Sequence, residues 1–322
     1  MKVVNNNDPR IFNPSFPPVV KIVEVSPRDG LQNEKQHIPV QTKVDFIDLL
    51  SETGVRAVEA TSFVSPRWVP QMSDHMEVYS SIKKVDGISY PVLVPNMIGL
   101  ENALKVGVKE IAVFGAASDL FSKENTNCTL AQNLTRIEQV AQYALKRNVK
   151  VRGYISCCLG CPYEGFISPE RIANIVQKMY EMGCYEISLG DTIGVGNPAS
   201  MRALIEAVSK VVPIHVIAVH CHDTYGQALA NILTALECGV SVIDSSVAGL
   251  GGCPFAKGAT GNVATEDVLY MLTGMGIKTG IDMNAILRAS KFICSALKRE
   301  TSSKVGKALI AKQRDSLDYT ID

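Results

Sequence analysis

The chain has 322 residues, 46% of them hydrophobic and 20% charged, and its 32 Lys and Arg balance 32 Asp and Glu. This describes a globular protein with a large core, and zero net charge argues against nucleic-acid or membrane-surface partners while leaving room for a local cluster that binds a small anion. No run of ~18 apolar residues would cross a membrane, and nine scattered cysteines, an odd count, suit a reducing intracellular compartment better than a disulfide scaffold.

Residues 1–19, with their Asn and Pro, read as an arm before the first strand, lacking both an apolar signal core and the several arginines of a mitochondrial presequence. From there one rhythm repeats: a short β-branched run ends in a polar or glycine-rich cluster, and a helical pattern follows. The runs begin near Lys21 (KIVEV), Arg56 (RAVEA), Ser89 (SYPVLV), Glu110 (EIAVF), Lys150 (KVRGYIS), Tyr185 (YEISL), His215 (HVIAVH) and Val240 (VSVIDSSV). They are short and mostly apolar, as buried parallel strands are. Between them, Val44, Phe46, Ile47, Leu49 and Leu50 mark one helix face, and Ile172, Ile175, Val176 and Met179 another. Ser168 before Pro169 and Asn197 before Pro198 look like helix N-caps. Gly54, Gly107, Gly183 and Gly239 fall where helices stop. Eight βα units predict a (β/α)₈ TIM barrel over residues 20–305, with helices after Glu266 completing it and extending beyond, and a polar C-terminal tail over 306–322. An open doubly wound sheet is the alternative.

A barrel places its active site at the carboxyl ends of its strands. Those ends carry Arg28-Asp29-Gly30, Glu59 with Thr61-Ser62, Asn96, Asp191-Thr192, His220-Cys221-His222-Asp223 and a Gly-rich run through Cys253. Strand side chains alternate, so His220 and His222 share a face and can reach one ion while Cys221 points away. The alternative is a pair of hydrogen-bonded strand histidines. Asp29 and Asn262, from the neighbouring strands one and eight, would complete an oxygen-rich set that favours Mg²⁺ or Mn²⁺ over structural zinc. Arg28 is either a surface arginine or, beside a metal-binding carboxylate, a holder of an oxyanion. Cys253, in GLGGCPFAKGATGN, is either an inert buried thiol or a reactive one on a movable loop. Cys157, Cys158 and Cys161 (CCLGC) have no second CxxC and read as plain strand-end and loop cysteines.

The segments VEVSPRDGLQNEK, EATSFVSPRWVPQMSDH, FGAAS, SCCLGCPYEG, MGCYEISLGDTIGVG, AVHCHDTYGQALAN and SSVAGLGGCPFAKGATGN resemble the 3-hydroxy-3-methylglutaryl-CoA lyase family of TIM-barrel metallolyases, from about Val20 to Val305. The last segment is the most specific; RDG and HxH are shared with acetyl-CoA-condensing and aldolase relatives. The resemblance implies metal-dependent cleavage of hydroxymethylglutaryl-CoA to acetoacetate and acetyl-CoA. It implies Asp29, His220, His222 and Asn262 as metal ligands, and Arg28, Cys253, His220 and Glu59 as catalytic residues, with Arg28 also contacting an acyl-CoA substrate. It implies a homodimer in the mitochondrial matrix or the cytoplasm. Ser26 stands where the family usually has Gly, and Phe255 where it often has Tyr; neither is a proposed catalyst. The ending lacks a cysteine after Cys294 and a peroxisomal Ser-Lys-Leu signal. A relative that instead condenses acetyl-CoA with a 2-oxo acid is disfavoured by the GGCPF loop and by the lack of a recognisable extra regulatory domain, and a silent binding barrel by the complete polar set.

Overall fold

The computed structural model describes residues 16–252 and 261–318. Nine parallel strands lie in the order β2-β1-β9-β8-β7-β6-β5-β4-β3. They are β1 (Lys21–Glu24), β2 (Ala57–Val58), β3 (Thr61–Ser62), β4 (Val92–Leu93), β5 (Glu110–Ala116), β6 (Lys150–Ser156), β7 (Glu186–Asp191), β8 (Ile217–Cys221) and β9 (Val242–Ser245). The two ends of this order, β2 and β3, are halves of one segment interrupted at Glu59 and Ala60. Across the interruption the backbone hydrogen-bonds both neighbours: Glu59 N–H donates to Glu24 O and Ala60 N–H to Pro91 O, each at 2.9 Å. The sheet therefore closes into an eight-stave ring, and every run read as a strand contributes a stave.

Helices wrap the ring. α1 (Val40–Ser51), α2 (His75–Ser81), α3 (Met97–Lys105), α4 (Asp119–Thr126), α5 (Leu130–Leu145), α6 (Pro169–Glu181), α7 (Pro198–Val208) and α8 (Ala228–Glu237) alternate with the strands, and α9 (Thr265–Gly274) follows β9. Ser168 caps α6 by accepting from Arg171 N–H, and Asn197 caps α7 by accepting from Ala199 and Ser200 N–H. The four stop glycines all have positive φ, between 76° and 98°. At Gly54 a Cβ would also lie 2.3 Å from the Gly280 carbonyl, which no other residue could tolerate. Ile172, Ile175, Val176 and Met179 are buried, and Val44, Phe46, Ile47 and Leu50 likewise; they join one apolar layer between staves and helices.

α10 (Met283–Leu297) packs on α1 and α9. Residues 306 onward, read as a polar tail, instead continue α11 (Lys304–Asp318), which packs on α9. Its start is organised by Asp267, which accepts from Ser303 Oγ at 2.7 Å and from Val305 N–H at 2.8 Å. A polar sequence hid this helix because its cap comes from α9, 36 residues earlier.

The barrel interior is the unusual layer. Small apolar residues, Val23, Val25, Ala57, Ala218 and Val242, form one cluster. Further inward positions of β6 to β9, by the two-residue alternation, include Arg152, Tyr154, Glu186, Ser188, His220 and Asp244, all buried. Barrels are more often filled with branched apolar side chains. A polar interior of this kind positions groups at the mouth.

Candidate active site

Directly after β1 the backbone makes one π-helical turn, Ser26–Gly30, with Asp29 N–H bonded to Val25 O at 2.8 Å and Gly30 N–H to the same oxygen at 3.2 Å. Such turns are rare and frequent at functional sites. Gly30 must be glycine here, since a Cβ would lie 2.9 Å from Leu250 Cβ. The turn is tied to the end of β9 from outside the ring by Glu24, fully buried, which accepts from Ser26 N–H, Val247 N–H and Thr265 Oγ1 at 2.6–3.0 Å.

The turn delivers Arg28 and Asp29 into the mouth. Asp29 accepts from Arg28 Nη1 through one oxygen and from Asn262 Nδ2 through the other, at 2.7 Å. His220 Nε2 lies 3.3 Å from His222 Nε2 and 3.8 Å from Asp29 Oδ2. Candidate ligand atoms of Asp29, His220 and His222 all fall within 4.8 Å of one another. Asn262 is held against this group by a backbone bridge to His222 and by its amide, which also donates to Leu250 O at 3.1 Å.

Electrostatics match the geometry. Burial opposes the charge on Asp29, but Arg28, both histidines and the Asn262 amide outweigh it and hold its pKa at about 2. Burial, and then His220, push the His222 imidazole down to about 4, so it presents a neutral ring. His220 moves the other way: burial lowers its pKa, but the contacts with Asp244 and Asp29 prevail and raise it.

These residues fit a divalent ion. Two imidazole nitrogens facing each other at 3.3 Å cannot both donate, and two facing lone pairs repel. A cation between the two Nε2 atoms and the Asp29 carboxylate would satisfy lone pairs that the protein leaves facing each other. Asn262 would join the set by turning its amide oxygen inward.

Arg28 is no surface arginine: it is 6% exposed. Its Nε and Nη2 each lie 2.7 Å from Glu59 Oε2, and its guanidinium stands 5.4 Å from the Tyr154 ring. Burial penalises the charge on Arg28, but Glu59 and Asp29 more than compensate and raise its pKa further above an already high value. Three of its five N–H groups are committed to Glu59 and Asp29, which leaves two for a ligand oxygen. Glu59 is fully buried behind Arg28 and also accepts from Tyr154 Oη at 3.2 Å; this places it as the support of Arg28. Cys253 lies outside the described residues.

The other strand-end polar groups tie down loops and helix starts. Asn96 caps α3 by accepting from Gly99 N–H, Thr192 accepts from Cys157 N–H, and Asp191 accepts from Val195 and Gly196 N–H. Cys157, Cys158 and Cys161 are buried free thiols, and burial pushes the first two well up, as inert cysteines require. Sequence reasoning passed over Asp244 and Arg152. Their signal was a charged residue at an inward position of an otherwise apolar strand, the same alternation that paired the histidines.

The fold and site define a TIM-barrel protein with a candidate metal site, an Asp-His-His cluster beside a buried arginine, and residues 19–293 match the HMGL-like family model. A mitochondrial hydroxymethylglutaryl-CoA lyase of Gallus gallus is 60% identical over 91% of this chain and 99% of its own. A cytoplasmic 3-hydroxy-3-methylglutaryl-CoA lyase of Rattus norvegicus is 59% identical over 91% of this chain and 85% of its own. The crystal structure of hydroxymethylglutaryl-CoA lyase from Pseudomonas aeruginosa superposes with a TM-score of 0.91 at 54% identity, covering 92% of this chain and 99% of that one. The chain belongs to the hydroxymethylglutaryl-CoA lyase family. Among the described residues, no helix is long and apolar enough to cross a membrane.

Proposed function

We propose that this protein cleaves 3-hydroxy-3-methylglutaryl-CoA to acetoacetate and acetyl-CoA, with Mg²⁺ or Mn²⁺ held by Asp29, His220, His222 and Asn262. The observation that carries the reading is the convergence of the Asp29 carboxylate and two imidazole Nε2 atoms beside a buried arginine with uncommitted donors. The ion, when bound, would acidify the substrate's C3 hydroxyl and neutralise its free carboxylate.

The chain's own residues do the rest. The proton of the C3 hydroxyl passes to the Cys253 thiolate, the proposed proton shuttle; C3 becomes a ketone as the C2–C3 bond breaks, and the bonding pair moves into the thioester as an enolate. Arg28, fixed by Glu59 and Asp29, offers its two remaining N–H groups to the enolate oxygen, where charge develops. His220, proposed from sequence as both ligand and proton carrier, is better suited to the first role: its Nδ1 faces Asp244 and its Nε2 faces the ligand cluster. An imidazole has no further lone pair for a proton. Cys253 is then the proposed donor of the proton that converts the enolate carbon to the acetyl methyl group, on the sequence resemblance alone. A homodimer, in the mitochondrial matrix or the cytoplasm, is proposed on the same ground.

The deciding experiment assays cleavage of hydroxymethylglutaryl-CoA, with and without added Mg²⁺ or Mn²⁺, against condensation of acetyl-CoA with 2-oxo acids. Metal-dependent release of acetoacetate is expected. Condensation without cleavage would overturn the assignment.

A further inference from the structure

Behind His220 stands a carboxylate that the reaction does not touch. Asp244 of β9 is 1% exposed. Its Oδ2 lies 3.3 Å from His220 Nδ1. That same oxygen accepts from Ser188 Oγ at 2.7 Å and from Arg152 Nη1 at 3.3 Å, while Oδ1 accepts from Arg152 Nη2 at 2.7 Å. Arg152 is fixed in turn by Glu186, whose Oε1 accepts from its Nε at 2.7 Å, and Glu186 pairs with Lys21. Three successive staves, β7, β8 and β9, thus supply Ser188, His220 and Asp244 to one inward cluster; Asp244 pairs directly with His220 in the β8–β9 register, and Ser188 pairs with Ala218, two residues before His220. His222, by contrast, has a buried Nδ1 with no hydrogen-bond partner among the described residues.

We propose that Asp244 is a positioning residue for the metal centre: it holds His220 as the Nδ1–H tautomer, so that the Nε2 lone pair faces the ion before the ion arrives. The physical ground is that an imidazole has two nitrogens and one proton when neutral, and whichever nitrogen is anchored as donor frees the other as ligand. An acceptor fixed by three donors cannot turn away, and a donor cannot replace it without leaving Asp244 short of a partner. The two histidines are consequently unequal. His220 is oriented by the barrel interior, and His222 takes its orientation from the ion itself. The inference rests on the reading of Asp29, His220 and His222 as metal ligands. The rival role for Asp244 is purely structural, as counter-ion to the buried Arg152.

The test titrates Mn²⁺ into metal-stripped full-length protein, followed by electron paramagnetic resonance, and records the nitrogen-15 imidazole spectrum of the metal-free protein at a pH where its rings are neutral. Wild type should bind Mn²⁺ and Asp29→Ala should not. If wild type binds none, or Asp29→Ala binds equally well, the metal-site reading fails and this inference falls with it. If that reading holds, Asp244→Asn should bind Mn²⁺ roughly 10–100-fold more weakly, and the proton on His220 Nδ1, present in wild type, should redistribute between the two nitrogens. A variant with a lowered melting temperature but unchanged Mn²⁺ affinity would make Asp244 structural only and overturn the proposal. Should Asp244→Asn fail to fold, the wild-type spectrum decides: a His220 proton found on Nε2 overturns the proposal and one on Nδ1 supports it.

Discussion

From the end of the barrel where the strands begin up to Asp244 behind His220, ionic groups satisfy one another. Lys21 pairs with Glu186, Glu186 with Arg152, Arg152 with Asp244, and Glu110 receives the hydroxyls of Ser89 and Tyr185. At the end where the strands finish, similar residue types are left short. Two imidazole nitrogens face each other at 3.3 Å, and His222 Nδ1 and Glu59 Oε1 have no hydrogen-bond partner among the described residues. Arg28 has more donors than its two carboxylate neighbours use. A buried polar group without a partner costs on the order of 1–3 kcal/mol. The first end is built to hold a shape, and the second keeps lone pairs and donors available for a ligand.

The sharpest way to break this contrast is to remove what the mouth is built to hold. Metal-stripped protein should lose nearly all cleavage, and added Mg²⁺ or Mn²⁺ should restore it. Full turnover in protein shown by elemental analysis to be metal-free would mean that the facing imidazoles serve some other purpose. Next comes Arg28→Gln. Loss of a donor to a developing oxyanion commonly costs about 10²–10³-fold in rate or more, so kcat should fall by that order while KM changes less. A variant with normal kcat and a large rise in KM would make Arg28 a general substrate anchor.

At the other end the same kind of change should register in stability. Arg152→Met removes a buried cation from between Asp244 and Glu186, and breaking a buried pair in this way costs about 3–5 kcal/mol. The urea midpoint should drop accordingly; an unchanged midpoint would show that the interior network contributes nothing net. The smallest effect concerns pH. The His222 imidazole takes up a proton near ~6.5 when unfolded, and at about 4 in the folded, metal-free protein. Its contribution to stability is therefore complete above the unfolded value and disappears as pH falls through about 4. Metal-free wild type should lose stability relative to His222→Gln over that interval. Parallel pH dependence of the two proteins in urea titrations would show that His222 is not held neutral.

Local chemistry made much of this legible in the sequence. Apolar runs marked all eight staves, Ser168 and Asn197 announced helix starts, and positive-φ glycines announced helix stops. These signals lie within a few residues of the structure they specify, because a cap or a turn is a contact between near neighbours. The pairing of His220 with His222 was equally local, since strand alternation alone puts positions two apart on one face. Tertiary structure decided the rest. Asp29 meets Asn262 across 233 residues, Arg28 meets Glu59 across 31, and Asp244 stands behind His220 only because β8 and β9 are adjacent staves in register. α11 starts where Asp267 of another helix receives its first N–H groups. A sequence states which side chains share a face of one element. Which carboxylate stands behind which imidazole depends on ring closure, and closure is a property of the whole set of staves.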